Sequence, residues 1–444
     1  MKDGLREKKP AEVPMAKQAG EVRARWAWTE PEVWTERMLT ALEKGVKGGK
    51  WFSLIDKVYS RGNLMRAFAR VKANKGAAGI DRQTIEMFER NLGANLERLV
   101  TELENGSYRP QALRREWIPK DGSKEMRPLG IPTVRDRVVQ TALRAVLEPI
   151  FERIFAAHSY AFRPGRGCKD ALRRVDNLLK EGYNWVVDAD LTSYFDTILF
   201  KLLLELVEEQ VADGAVLALI EAYLHQEVLE GLKRWNPEAG TPQGAVISPL
   251  LSNIYLNPLD HKMAQEGIEM VRYADDFVIL CRSEAAAQRA LALVQQWTAT
   301  AGLTLHPEKT HIVDATQRGG FDFLGYHFER GYKWPRKKSL KKVKDKIRVL
   351  TKRTNGQGLS AIISRINPIM RGWFGYFKHS LYTTFVSLDG WIRMRLRSIL
   401  RKRSKRRGRG RGKDHQRWPN AFFAEQGLFS LVTAAAKSGQ SSKR

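Results

Sequence analysis

The chain has 444 residues, in which 76 lysines and arginines face 49 aspartates and glutamates, for a formal charge of +27. At 43% hydrophobic and 28% charged it has a globular composition, long enough for roughly two to four domains. There is no apolar run near the roughly 18 residues that cross a bilayer and no apolar signal segment at the N-terminus, and two cysteines, Cys168 and Cys281, make neither a disulfide framework nor a zinc cluster.

A cationic excess this large repels itself unless a polyanion neutralises it. Nucleic acid is the expected partner, an anionic membrane surface being the other polyanion on offer. Free cysteines predict a reducing, cytoplasmic setting.

Residues 1–30 are charged and poor in apolar side chains apart from Trp26 and Trp28, and read as a loose extension. Helical spacing begins near Pro31, with Trp34, Met38, Leu39 and Leu42. Residues 74–81, NKGAAGID, form a glycine-rich connection. Residues 117–132 predict a two-stranded hairpin around Asp121-Gly122. Thr133 is placed to cap a helix on which Val138, Val139, Ala142, Val146 and Leu147 share a face. Residues 185–190 predict a strand, 199–211 a helix, and 271–280 two apolar arms around a tight polar turn. Ala287, Leu291, Val294 and Trp297 predict a helix that stops at Gly302. Helices mixed with antiparallel hairpins predict an α+β fold. Beyond residue 330 the composition shifts. From 333 to 353, 11 of 21 residues are Lys or Arg; 362–400 is helical and aromatic; from 401 to 413, nine of 13 are basic.

The sharpest local signal is Tyr273-Ala274-Asp275-Asp276, between Val271 and the run Phe277-Val278-Ile279-Leu280. Two adjacent carboxylates at the tip of an apolar hairpin repel one another, which makes sense if hard divalent cations bind there. Taken alone, the pair reads more readily as a surface turn, where aspartate is common. A second acidic strand end changes the balance. Strand alternation puts Asp188 and Asp190 on one face, just before Leu191-Thr192-Ser193-Tyr194-Phe195-Asp196. One such carboxylate together with Asp275 and Asp276 suits a two-metal phosphoryl-transfer site.

These motifs resemble those of bacterial group II intron reverse transcriptase/maturases. DLTSYFD at 190–196 resembles the first catalytic-aspartate motif. TPQG at 241–244 followed by SPLLSN at 248–253 resembles the nucleotide-pocket motif. FRPGRGCKDAL at 162–172 and FDFLGYHF at 321–328 match further blocks, and INPIMRGWFGYF at 366–377 resembles the maturase domain. The ordered series covers roughly residues 55–400.

The resemblance implies a right-hand polymerase: an N-terminal extension and first helix (1–50), fingers and a palm with an antiparallel sheet (51–330), a helical thumb/maturase region (331–400) and a basic C-terminal tail (401–444). It implies catalytic Asp190, Asp275 and Asp276, with metal-binding positions at Asp190, Leu191, Asp275 and Asp276 for two Mg²⁺ ions, or Mn²⁺ in their place. Asp188 then only tunes the local field, and Asp196 is a structural cap. Nucleotide-binding positions are Lys120 and Arg127, reaching the triphosphate; Phe195, excluding a 2′-hydroxyl; Gln243 and Gly244; Tyr273 and Ala274, lining the primer terminus; and Lys309, a candidate proton donor to pyrophosphate. Read without the resemblance, Phe195 is as well a core aromatic, and Lys120 and Arg127 are solvated surface charges.

Lys337, Lys338, Lys341 and Lys342 on a basic helix, and Arg393, Arg395 and Arg397 among aromatics, are the candidate RNA contacts; the bland reading of each is a solvated helix face. Trp418, Phe422, Phe423 and Phe429 are expected to dock onto the last domain. Cysteine pairs of the kind found in the family's C-terminal endonuclease are missing, so an endonuclease-less form is expected. The partners implied are group II intron RNA, an RNA template with a DNA or RNA primer, and dNTPs, with room for a DNA target and a homodimer and no membrane. The expected activity is RNA-directed DNA polymerisation with maturase function. A defence or retron-type reverse transcriptase and a splicing-only RNA-binding maturase are the alternatives.

Overall fold

The computed structural model describes residues 21–119, 125–408, 410 and 412–439. Lys120 and the Asp121-Gly122 turn lie outside the described residues. Among the described residues the strands form three sheets. The first has the order β2-β1-β4-β5, from β1 (Leu113–Pro119), β2 (Met126–Ile131), β4 (Val228–Glu230) and β5 (Lys233–Trp235). The central sheet has the order β6-β7-β3-β8, from β3 (Trp185–Asp190), β6 (Glu269–Tyr273), β7 (Asp276–Cys281) and β8 (His311–Asp314), antiparallel throughout. The third joins β9 (Phe321–Phe323), β10 (Tyr326–Glu329) and β11 (Tyr332–Pro335).

Alternation along the central strands sorts their side chains between two cores. Val187, Ala189, Phe277 and Ile279 join the large N-terminal core, whereas Val186, Val278 and Leu280 join a smaller one with Phe321, Phe323 and Phe328. Because Asp188 and Asp190 keep step with Val186, and Asp276 with Val278, the acids fall on the face of the smaller core. Apolar burial on both faces, at ~25 cal/mol per Å², keeps the sheet rigid beneath them.

The helices that position this sheet are α1 (Val134–Glu152), α2 (Cys168–Lys180), α3 (Ser248–Gln265) and α4 (Glu284–Thr300). Helix α1 starts where Thr133 Oγ1 accepts from the Asp136 amide, and Val138, Val139, Ala142, Val146 and Leu147 on it are fully buried. Gly302 turns the chain after α4 with a φ of +65°. The expected loose extension is corrected for residues 21–30. Val22 is buried, Arg25 pairs with Glu43, and the nearly buried Glu30 receives Arg66 and Arg70 at 3.0 and 3.1 Å.

Past β11 the chain is helical. α5 (Lys337–Leu350), α6 (Leu359–Phe377) and α7 (Tyr382–Arg403) close a third core around Val343, Ile347, Ile366, Phe385 and Ile392. The residues after 412 are part of this unit. Phe423, Leu431 and Ala435 are fully buried in it, and Trp418, Phe422 and Phe429 pack against it. Asp389, itself buried, accepts from Ser430 Oγ at 2.8 Å and from the Leu431 and Val432 amides at 3.1 and 3.3 Å. It thus supplies acceptors to the otherwise orphaned amides that open the final helix, Leu431–Lys437. Asp389→Ala is expected to cost about 1–3 kcal/mol. It should raise amide hydrogen exchange across 413–437 while leaving the central sheet protected; unchanged exchange in that segment would contradict the assignment.

Candidate active site

The strand register assembles the acids. Asp190 on β3 lies opposite Asp276 on β7, and Tyr273 on β6 also pairs with Asp276. Cross-strand partners share a face, so Asp188, Asp190 and Asp276 stand on one side of the sheet, with Asp275 in the adjoining turn. Ala274, first of the two turn residues, has a φ of 61°, where a non-glycine residue carries strain on the order of 1 kcal/mol. Ser193, just past β3, is likewise left-handed at 48°.

A buried arginine holds the turn. Arg272 has no solvent-exposed surface. Its guanidinium clasps Asp260 of α3 in a two-pronged ion pair, with Nε to Oδ1 at 2.7 Å. Its remaining nitrogen donates to Asn253 Oδ1 at 3.1 Å and to the Ala274 carbonyl at 2.9 Å. Asn253 in turn donates to the Ala161 carbonyl. The strained turn is therefore tied to α3 and to Ala161, just before the FRPGRG segment. Sequence reasoning did not find Arg272; an arginine inside an apolar strand run, beside the acidic turn, was the available signal.

The crowded carboxylates resist ionisation. Partial desolvation, then Asp188, Asp275 and Asp190, push Asp276 up to about 7. Burial, then Asp322 and Asp190, push Asp188 up to about 7. Burial and Asp190 also raise Asp275, against the pull of Arg272. Lys309 Nζ meets Asp190 Oδ2 at 2.7 Å. Acid–acid repulsion on oxygen donors is the chemistry that hard divalent cations relieve, so the donor set fits such ions. Among the described residues, however, no group of three potential ligand side chains is drawn together around one point. Leu191 has a buried side chain without donor atoms, so only its backbone is available to a cation.

Of the nucleotide-pocket candidates, Phe195 and Gln243 share one pocket, which Thr241, Pro242 and Gly130 also line. The Thr241 amide donates to the Phe195 carbonyl at 2.7 Å, and the Gly130 amide to the Gln243 carbonyl at 2.8 Å. Gly244 has a φ of +111°, and a Cβ there would lie 2.6 Å from the Gly130 carbonyl oxygen, so only glycine lets this loop reach β2. Arg127 is exposed on β2, opposite Ile118. The Cys168 thiol and partial burial raise Tyr273 to about 12.

The RNA candidates divide. Lys337, Lys338, Lys341 and Lys342 are exposed on α5, whose opposite face buries Val343 and Ile347. Arg397 requires a correction. It is 3% exposed, donates to the Trp418 carbonyl and Asn420 Oδ1, both at 2.8 Å, and lies over the Phe423 ring. It ties the chain end to α7. Arg395 is also engaged within the protein, donating to Thr351, and Arg393 lies 3.7 Å from Asp389.

Comparison with known proteins matches residues 118–328 to the reverse transcriptase (RNA-dependent DNA polymerase) family and 340–418 to the group II intron maturase-specific domain. Protein YkfC of Escherichia coli K12 is 32% identical over 349 residues, covering 69% of this chain and 86% of that protein. The group II intron-encoded protein LtrA of Lactococcus lactis is 37% identical over 221 residues, 48% of this chain and 36% of LtrA. Nuclear intron maturase 4 of Arabidopsis thaliana mitochondria is 30% identical over 227 residues, 50% of this chain and 27% of that protein. The aligned part thus spans most of YkfC and about a third of LtrA.

Two expectations follow from the electrostatics. In the folded chain Asp188 keeps its proton to about pH 7, whereas an unfolded aspartate releases it near 3.9. Between those values the folded state holds more protons, so stability falls as pH rises. Without divalent cations, Asp188→Asn should stabilise the protein by on the order of 1–2 kcal/mol at pH 8, the gain vanishing toward pH 4. A pH-independent difference in denaturant midpoints would contradict this. Arg272→Met strands a buried carboxylate and should cost about 3–5 kcal/mol in denaturant titration. A loss below about 1 kcal/mol would show that the clasp does not hold the turn.

Proposed function

This chain belongs to the group II intron reverse transcriptase/maturase family, and we propose that it extends a primer 3′ end with dNTPs on an RNA template and also binds its host group II intron RNA to assist splicing. The observation that carries the reading is the register: Asp190 opposite Asp276, with Asp275 in a turn fastened from inside by Arg272. In this reading residues 51–330 are fingers and palm, following an N-terminal extension and first helix at 1–50. Residues 331–400 are thumb and maturase, and the segment from 401 adds basic charge and packing.

Asp190, Asp275 and Asp276 would hold two Mg²⁺ ions, with the Leu191 backbone beside them. Bound there, the ions supply a positive field that acidifies the primer 3′-hydroxyl and neutralises charge on the triphosphate. The chain's own residues do the positioning. Phe195 and Gln243, fixed to each other's segments through backbone hydrogen bonds, meet the sugar and base. Phe195 occupies the space a 2′-hydroxyl needs. Arg127, with Lys120, reaches the triphosphate as a fixed cation. Lys309 sits on Asp190 without substrate and carries a proton that pyrophosphate needs on leaving. Tyr273 and Ala274 line the primer terminus.

Splicing assistance calls for a surface that grips folded RNA. The exposed lysines of α5 supply phosphate contacts without sequence preference. The complete acidic set favours polymerisation over a splicing-only role, and the match to the maturase-specific domain favours a maturase over a defence enzyme.

Primer extension on an RNA template tests the polymerase reading. Asp190→Asn and Asp275→Asn should each slow extension by roughly two orders of magnitude or more. Asp275→Ala with Asp276→Ala should abolish cDNA synthesis and leave intron binding and splicing largely intact. Near-normal extension by any of these variants would overturn the site assignment, and equal loss of splicing would overturn the separation of the two roles.

A further inference from the structure

Where α5 and α6 meet the β9–β10 turn, a groove of about 500 Å³ opens beside the seam between the second and third cores. That is within the range of about 300–1,000 Å³ typical of small-molecule sites. Its wall is largely apolar, formed by Pro368, Ile369, Trp373 and Tyr376, and Lys342 and Lys346 of α5 contribute to its lining.

Most polar groups of the groove are already engaged. Tyr376 donates its hydroxyl hydrogen to the Leu324 carbonyl at 2.7 Å, and Ser339 Oγ donates to the Gly325 carbonyl at 3.0 Å. The Trp373 indole N–H is different: it is buried and has no acceptor. A buried donor without a partner costs about 1–3 kcal/mol unless something supplies an acceptor. The preceding residue, Gly372, also lines the groove, and a Cβ built on it would meet no atom within 4 Å.

A ligand matched to this groove has a flat apolar face, an acceptor on its edge and a negative charge close by. We propose that the groove takes a single unstacked nucleotide of bound RNA, its base packed against Trp373 and its flanking phosphates met by Lys342 and Lys346. Base carbonyls and ring nitrogens both offer an acceptor once the indole turns its buried N–H toward the groove, so the site discriminates little among bases. A paired base in an A-form helix hides its faces in the stack, so the occupant comes from a bulge or loop. Lys338 and Lys341, exposed on the same helix, extend the cationic surface from the groove along the adjoining backbone. This rests on the reading of the C-terminal region as RNA-binding and adds the feature in RNA that it selects.

The full chain would be titrated with two short RNA duplexes, one continuous and one carrying a single bulged 5-iodouridine. The bulged duplex should bind roughly tenfold more tightly, and ultraviolet light should crosslink the iodinated base to Trp373 or Tyr376, as located by mass spectrometry. Gly372→Leu projects a side chain into the open space while favouring the helix, and should erase the preference yet keep affinity for the continuous duplex. Trp373→Phe, which retains a ring and removes the N–H, should reduce the preference severalfold. Equal affinity for the two duplexes, a crosslink elsewhere, or an undiminished preference in Gly372→Leu would overturn the proposal. The crosslink is read on the wild-type chain, so the test survives any folding defect in a variant. Failure to bind either duplex would instead defeat the RNA-binding reading beneath it.

Discussion

An arginine with no exposed surface holds the acidic turn in place. Arg272 spends two nitrogens on Asp260 and a third on the Ala274 carbonyl, so the strained turn is referenced to α3 rather than to solvent. Without that tie, repulsion among Asp188, Asp190, Asp275 and Asp276 would favour splaying the β6–β7 tip away from β3. The sheet is stiff because both its faces are packed, and the acids share the face of the smaller core. The geometry therefore concentrates carboxylates at one edge of the sheet, where divalent cations would relieve their repulsion, and the raised proton affinities of Asp188 and Asp276 reflect that crowding.

The central strands were legible in sequence because their signals are local. Residues 185–190 are a short apolar run ending in an acid, residues 271–280 are two apolar arms around an acidic turn, and α1 shows its buried face at helical period. The pairing of Asp190 with Asp276 is not local: the chemistry of paired acids suggested that one of Asp188 and Asp190 joins Asp275 and Asp276, motif resemblance singled out Asp190, and the register places it opposite Asp276. The role of Arg272 stayed hidden because its partner Asp260 lies twelve positions earlier on a helix, and nothing in spacing links a helix carboxylate to a strand guanidinium.

The arginines of α7 show the opposite error. Arg393, Arg395 and Arg397 are dense and interleaved with aromatics, which reads as a nucleic-acid face. At 100° per residue, however, positions two apart on a helix point in very different directions, so three alternate residues do not share one surface. Arg397 points inward onto Phe423, where the returning chain end covers it. The return itself was legible, since Trp418, Phe422, Phe423 and Phe429 are apolar residues beyond the basic run and do pack on the third core, but nothing in the spacing pairs Arg397 with them. The basic helix α5 was read more securely, since Val343 and Ile347 fix which face is buried and leave the lysines outside.

The central claim is that Asp190, Asp275 and Asp276 act as one cation-binding unit. Electron paramagnetic resonance of Mn²⁺ bound to the protein with a primed RNA template and a dNTP tests it most directly, because the signal does not depend on turnover. The account predicts tight Mn²⁺ binding in the wild type, and loss of it when any one of the three aspartates becomes asparagine. Unchanged Mn²⁺ stoichiometry and affinity in a variant with all three replaced would contradict it.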